Sequence, residues 1–158
     1  MLGIGDMGAS RTGGDVIRTL GLGSCVAIVF LDPAAKVVGM VHVALPDSAV
    51  SPERVKTRPG YFADSAMPAF IETMKRNGST GNVRNYIIKL VGGARIMDPN
   101  NTFNVGNRNV LAIKKILWQH GAGPVAEDVG GQISRSVAVD VDTGTVKITS
   151  PARGDWVI

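Results

Sequence analysis

The sequence has little of what disulfide scaffolds, metal centres and membrane spans require. A single cysteine, Cys25, excludes an intramolecular disulfide and a zinc site built on cysteine pairs. The only histidines are His42 and His120, and no carboxylates stand near them at a spacing typical of zinc ligands. The longest apolar runs, such as residues 25–31, fall far short of the ~20 residues that a membrane span needs. We therefore expect neither a metal site nor insertion into a membrane.

The charge and the aromatic content do not favour a nucleic-acid-binding module. The formal net charge is +4, its lysines and arginines are scattered, and only 5% of the residues are aromatic. The N-terminus has no basic stretch followed by an apolar segment, so we expect no signal peptide and a soluble, cytoplasmic protein. A length of 158 residues with 44% hydrophobic residues predicts one domain over residues 1–158, with a core of its own.

The hydrophobic pattern alternates between strands and helices. Residues 25–31 and 37–45 are apolar on both faces, which is typical of strands buried between two layers, and Asp32-Pro33 predicts a type I turn between them. Further strands are predicted over residues 16–20, 85–91, 133–141 and 145–149, helices over 63–76 and 109–119, and a long polar loop over 47–60. This order predicts an α+β fold, a sheet or sandwich covered on one side by helices.

The segment between Thr19 and His42 contains side chains suited to nucleophilic catalysis. A hairpin that turns about the Pro33–Ala34 bond would place Cys25 directly opposite His42. An imidazole within hydrogen-bonding distance can take the thiol proton and hold a thiolate–imidazolium pair. A bulge at the turn would change this register: a slip of two leaves the pair diagonal, and an odd slip separates the two faces.

The residues around Cys25 suit the same chemistry. The glycine-rich turn that ends in Gly23-Ser24 lets the backbone bend sharply, and its N–H groups can face an oxyanion beside the sulfur. The Thr19 hydroxyl can accept a hydrogen bond from the imidazole and orient it. Each residue also has a plainer interpretation: Cys25 as an inert buried side chain, His42 as a satisfied core residue and Thr19 as a strand former. The residues alone leave both interpretations open.

Short motifs along nearly the whole chain are those of one known family. They are Thr19 to Ala27 (TLGLGSCVA), Gly39 with His42, Leu45-Pro46-Asp47-Ser48, Phe62 with Asp64 and Ala66, Gly92-Gly93-Ala94 with Met97, Gly106-Asn107-Arg108-Asn109, Asp128 with Gly130-Gly131, Arg135, and Thr143-Gly144. Together they resemble the CheD family, the chemoreceptor glutamine deamidases of bacterial and archaeal chemotaxis. The LGSC block followed by His42 and Leu45-Pro46 is the most specific part.

The resemblance implies a layered α/β/β sandwich, with mixed sheets and two or three helices covering one side. It implies that Cys25 is the nucleophile, His42 the general base and Thr19 a supporting residue of a protein-glutamine deamidase that uses no cofactor. In such an enzyme a thioester forms on the cysteine, and its hydrolysis leaves glutamate. The implied partners are the cytoplasmic helical domains of chemoreceptors, as substrate, and the CheC phosphatase. The alternative is a non-catalytic adaptor that binds CheC-type phosphatases or receptors.

Overall fold

The computed structural model describes residues 1–96 and 103–158, and in this part of the chain nine strands and three helices alternate. The strands are β1 (Met7–Ser10), β2 (Val16–Leu22), β3 (Val26–Asp32), β4 (Val37–Val43), β5 (Ile87–Gly92), β6 (Ala126–Val129), β7 (Arg135–Asp140), β8 (Val146–Ser150) and β9 (Gly154–Val157). The helices are α1 (Pro52–Thr57), α2 (Ala63–Arg76) and α3 (Val105–Gln119), with 3-10 turns at Ser48–Val50, Pro59–Tyr61 and Val83–Asn85. Met97 lies outside the described residues.

The strands form two stacked sheets, and helices cover one of them. A five-stranded sheet has the order β1-β4-β3-β5-β6, and its pairs are antiparallel except for the parallel pair β5–β6. A four-stranded antiparallel sheet has the order β2-β7-β8-β9, and Leu2 adds a parallel bridge to Thr19 on β2. Helices α2 and α3 pack on the outer face of the five-stranded sheet. This arrangement confirms the predicted α+β class and the α/β/β layering.

Strand β3 lies at the centre because its side chains fill a core on each face. Val26 and Ile28 point toward the helices, whereas Ala27 and Val29 point toward the four-stranded sheet. Strand β4 alternates in the same way, and every residue of both strands is buried. The prediction of two strands enclosed between layers is therefore confirmed.

Gly39 on β4 allows α2 to approach the sheet closely. A Cβ at this position would lie 2.6 Å from the sulfur of Met74 and 2.8 Å from the ring of Phe70, so a larger residue would push the helix outward. The glycine thus fixes the distance between the helical layer and the strand that carries His42.

The register of the β3–β4 hairpin differs from the prediction by two residues. His42 pairs with Ala27, not with Cys25. The connection has four residues, 33–36, and Lys36 adopts a left-handed φ of 56°, whereas the prediction assumed a two-residue turn. Because the shift is even, Cys25 and His42 still lie on the same face of the sheet.

The sequence pattern does not predict four short elements, and it starts α3 four residues late. Strands β1, β6 and β9 have four residues each and lie at sheet edges. They are recognised by their hydrogen bonds to a neighbouring strand, because they are too short to show an alternation of apolar and polar residues. Helix α1 lies inside the predicted polar loop, and none of its six residues is buried, so no apolar stripe marks it. No helix within residues 1–96 and 103–158 is long and apolar enough to cross a membrane.

Candidate active site

Thr19, Cys25 and His42 lie on the facing surfaces of the two sheets. Thr19 belongs to β2 of the four-stranded sheet and His42 to β4 of the five-stranded sheet. Cys25 immediately precedes β3 and packs against the inter-sheet core. The ladder pairs Ala27 with His42, which makes Cys25 the diagonal neighbour of the imidazole. Residues from both sheets are therefore needed to assemble the group.

A chain of two hydrogen bonds determines which ring nitrogen of neutral His42 carries the proton. The Thr19 Oγ1 lies 2.7 Å from Nδ1 of His42 and donates to the Leu2 carbonyl at 2.9 Å. A hydroxyl has one proton, and since that proton goes to Leu2, Oγ1 accepts the Nδ1–H of the imidazole. In the neutral ring the lone pair then resides on Nε2. This is the arrangement of an oriented base, with Thr19 in the orienting position.

The N-terminal segment brings the Leu2 carbonyl into this chain. Leu2 N–H donates to the Arg18 carbonyl at 2.7 Å, and Gly5 N–H donates to the His42 carbonyl at 2.8 Å. Residues 2–6 thus run alongside both strands that carry the Thr19–His42 pair. Sequence reasoning missed Leu2, and no signal marks it, because only its backbone takes part.

Burial shifts both titratable groups toward their neutral forms. His42 is 2% exposed, and burial lowers the pKa of its imidazole, an effect that the nearby Asp6 carboxylate partly opposes. Burial raises the pKa of the Cys25 thiol, and its own backbone N–H opposes that increase. Nε2 of His42 is buried and has no hydrogen-bond partner among residues 1–96 and 103–158. A neutral thiol beside a neutral base is favoured at rest, rather than the thiolate–imidazolium pair expected from the sequence.

Cys25 lies at the boundary between solvent and core. Gly23, Ser24 and Cys25 are partly exposed, whereas β3, which follows directly, is buried throughout. Cys25 is therefore partly buried, not fully enclosed in the core.

The turn before Cys25 is held by the loop that follows β5. The Gly23 carbonyl accepts from Ala94 N–H and the Cys25 carbonyl from Gly93 N–H, each at 2.8 Å. Gly92 adopts a φ of 117°, and a Cβ there would lie 2.2 Å from the Cys25 carbonyl oxygen. The sequence marked Gly92-Gly93-Ala94 only as a family motif, and the structure gives it a physical role.

In the described part of the chain no three His, Cys, Asp or Glu side chains cluster as a metal site would require.

Comparison with known proteins relates this geometry to one family. Residues 44–150 match the family model described as CheD chemotactic sensory transduction. The chain is 49% identical over 158 residues to a probable chemoreceptor glutamine deamidase CheD of Syntrophotalea carbinolica, covering 100% of this chain and 98% of the relative. It is 39% identical over 155 residues to the chemoreceptor glutamine deamidase CheD of Thermotoga maritima, covering 98% and 94%. The family match begins after His42, but the Syntrophotalea alignment spans all three site residues.

Proposed function

Since the chain belongs to the CheD family, we propose that it deamidates glutamine side chains of methyl-accepting chemotaxis receptors and converts them to glutamate. One observation carries the proposal: the Leu2–Thr19–His42 hydrogen-bond chain leaves the lone pair of a buried imidazole on Nε2, on the face of the sheet that also holds Cys25. The names of these two relatives describe the same reaction. A partly exposed thiol as nucleophile and an oriented base are what this reaction requires.

In the first half of the reaction the Cys25 sulfur attacks the side-chain amide carbon as its proton passes to Nε2 of His42. N–H groups at Ser24 and at Cys25 face the oxyanion of the tetrahedral intermediate. The His42 imidazolium then gives its proton to the amide nitrogen, the C–N bond breaks, and ammonia leaves a thioester on Cys25. Catalytic contacts of this kind often tighten only when substrate binds.

In the second half His42 takes a proton from water, and the resulting hydroxide attacks the thioester carbon. The C–S bond breaks, the imidazolium returns its proton to the sulfur, and the carboxylic acid that forms loses its proton to solvent to give glutamate. One water is consumed and one ammonia released in each cycle. His42 carries every proton that moves during bond making and breaking, so the cycle needs no cofactor.

The substrate surface and the partner follow from charge and from family membership. A net charge of +4 favours association with glutamate-rich helices such as those of receptor cytoplasmic domains. A CheC-type phosphatase is the proposed protein partner. A non-catalytic adaptor for the same proteins is the alternative. The two functions differ in whether they need the Cys25 thiol.

The test is mass spectrometry of a receptor cytoplasmic fragment before and after incubation with the protein, together with an ammonia assay. We expect glutamine-to-glutamate conversion by the natural protein and none by Cys25→Ala or His42→Ala. His120→Ala is the matched control, because His120 is exposed at the end of α3 and should be dispensable. Full conversion by Cys25→Ala would contradict the cysteine mechanism. A Cys25→Ala variant that keeps the whole chemotaxis phenotype would support the adaptor.

A further inference from the structure

A buried amide on α3 contacts the backbone beside both Cys25 and His42. Asn109 is 0% exposed, and its Nδ2 donates to the Ser24 carbonyl and to the Ala44 carbonyl, each at 2.9 Å. Ser24 immediately precedes Cys25, and Ala44 follows His42 by two residues. One side chain from the helical layer therefore bridges the ends of the two strands that hold the site.

This bridge stands where the β3–β4 ladder stops. The last pair of the ladder is Val26 with Val43, and beyond it the carbonyls of Ser24 and Ala44 bond to the same NH₂ group. Two carbonyl acceptors require the amide to present its nitrogen, so the orientation of the Asn109 side chain is fixed. Its Oδ1 is buried without a hydrogen-bond partner in the described residues, so this orientation carries the desolvation cost of one unpaired acceptor.

The bond to Ser24 determines where the next N–H points. The Ser24 C=O and the Cys25 N–H belong to one planar trans peptide unit, in which the two groups point in opposite directions. An oxygen held by Asn109 thus turns the Cys25 N–H away from α3. That N–H belongs to the same residue as the nucleophilic sulfur, so covalent geometry keeps it close to that atom, and it opposes the rise in the thiol pKa that burial causes. The peptide units on either side are held through the carbonyls of Gly23 and Cys25.

Helix α3 provides a rigid support for this amide. A Cβ at Gly106, one turn before Asn109, would lie 2.5 Å from the Gly93 carbonyl and 2.6 Å from the Ala94 carbonyl. The helix therefore rests directly on the loop that holds Gly23 and Cys25. The loop after β5 therefore contacts both α3 and the turn that precedes Cys25.

We propose that Asn109 is a positioning residue that holds the Ser24–Cys25 peptide so that the Cys25 N–H donates to the oxyanion. This inference rests on the proposed deamidation. Asn109 itself does not touch the reacting atoms. It acts through the peptide unit, and its effect belongs to the chemical step rather than to substrate binding.

The test compares deamidation with alkylation of Cys25 by iodoacetamide in Asn109→Ala. Removal of an oxyanion donor typically costs about 10²–10³ in kcat, and a misdirected donor should cost at least about tenfold, with KM nearly unchanged. Alkylation forms no oxyanion, so its rate should fall much less than kcat. Because the same N–H stabilises the thiolate, the midpoint of the alkylation rate against pH should also move upward.

Ile113→Val is the matched control, since Ile113 is fully buried on the same helix and its aliphatic side chain cannot donate a hydrogen bond to the Ser24 or Ala44 carbonyl. This variant should lower the melting temperature, but the kcat of deamidation should not fall more than the rate of Cys25 alkylation. If Asn109→Ala does not fold, Asn109→Ser gives the same comparison with a smaller side chain. A wild-type kcat in a folded Asn109 variant, or equal losses of deamidation and alkylation, would overturn the proposal. An unmodified receptor fragment after incubation with the natural protein would instead refute the proposed function, and deamidation that survives Cys25→Ala would contradict the cysteine mechanism.

Discussion

At the residue scale, burial favours the neutral forms of both Cys25 and His42. Burial raises the pKa of Cys25 and lowers that of His42, so both shifts oppose a standing ion pair. Thiolates are the forms that oxidants attack, and a neutral thiol at a partly exposed position is protected from sulfenic acid formation. The base, in turn, does not need to lose a proton before it can act. In the proposed mechanism the thiolate of Cys25 forms only as the sulfur attacks the amide carbon.

The pH dependence of the two groups should therefore lie outside their ordinary ranges. A base with a lowered pKa stays neutral in more acidic solution, so the acid limb of kcat/KM should have its midpoint below 6.5, the ordinary value for histidine. A thiol with a raised pKa ionises later, so alkylation of Cys25 should reach half its maximal rate above pH 9.0. Steady-state assays measure the midpoint of the acid limb, and quenched alkylation over a range of pH measures the midpoint for the thiol. An alkylation midpoint near neutral pH would show that a thiolate–imidazolium pair exists after all.

Thr19 should act through the imidazole rather than through packing. Thr19→Val preserves the shape but removes the acceptor for Nδ1–H, so the ring loses its fixed tautomer, and kcat should fall at least about tenfold. Thr19→Ser retains a hydroxyl and should restore most of the activity. Deamidation rates and melting temperatures of both variants decide the matter. A valine variant as active as the serine variant would assign Thr19 a purely structural role.

At the element scale, the predictable parts of the fold are those whose pattern is local. Helix α2 occupies the predicted residues 63–76 because its apolar stripe and the Asn77-Gly78 stop are both in the sequence. The edge strands and the Leu2 bridge depend on partners far along the chain, which no local pattern reveals. Residue type and spacing singled out Thr19, Cys25 and His42, and the structure places them on the facing surfaces of the two sheets, but their catalytic roles stay a prediction. The register between Cys25 and His42 depends on the four-residue connection that ends in Lys36, which no local pattern reveals.

The end of β5 should tolerate no side chain at Gly92. Gly92→Ala would bring a Cβ to 2.2 Å from the Cys25 carbonyl at a φ of 117°, so the nucleophile turn must move and activity should be lost along with stability. Gly14→Ala is the matched control, because Gly14 also has a positive φ, 88°, but open space around it. The control should lose only about 1–2 kcal/mol of unfolding free energy, from backbone strain alone. Equal activity in the two variants would show that the loop does not hold the turn.

At the scale of the whole molecule, a buried ion pair joins the two sheets close to the site. Arg135 on β7 is 4% exposed, and its Nε donates to Asp128 on β6 at 2.9 Å. The same guanidinium donates to the Gly130 carbonyl at 2.9 Å, and Gly130 N–H in turn donates to the Gly92 carbonyl. Trp156 on β9 also donates to Asp128 through Nε1. The contact thus connects the outer strands of both sheets to the loop that positions Cys25.

Removal of one partner should cost far more than removal of both. Asp128→Asn keeps the shape but leaves the guanidinium buried without its counter-charge, and the unfolding free energy should fall by about 3–5 kcal/mol. The double variant Asp128→Leu with Arg135→Met should lose less than Asp128→Asn alone, since no orphaned charge is left. Denaturant unfolding followed by tryptophan fluorescence measures each variant. Asp155→Asn is the matched control: its ion pair with Lys147 joins β8 and β9 in water, with both side chains 53% exposed, so stability should barely change. If Asp128→Asn behaved like this control, the ion pair would contribute little to holding the two sheets together, and the guanidinium would serve only to support the Gly130 turn.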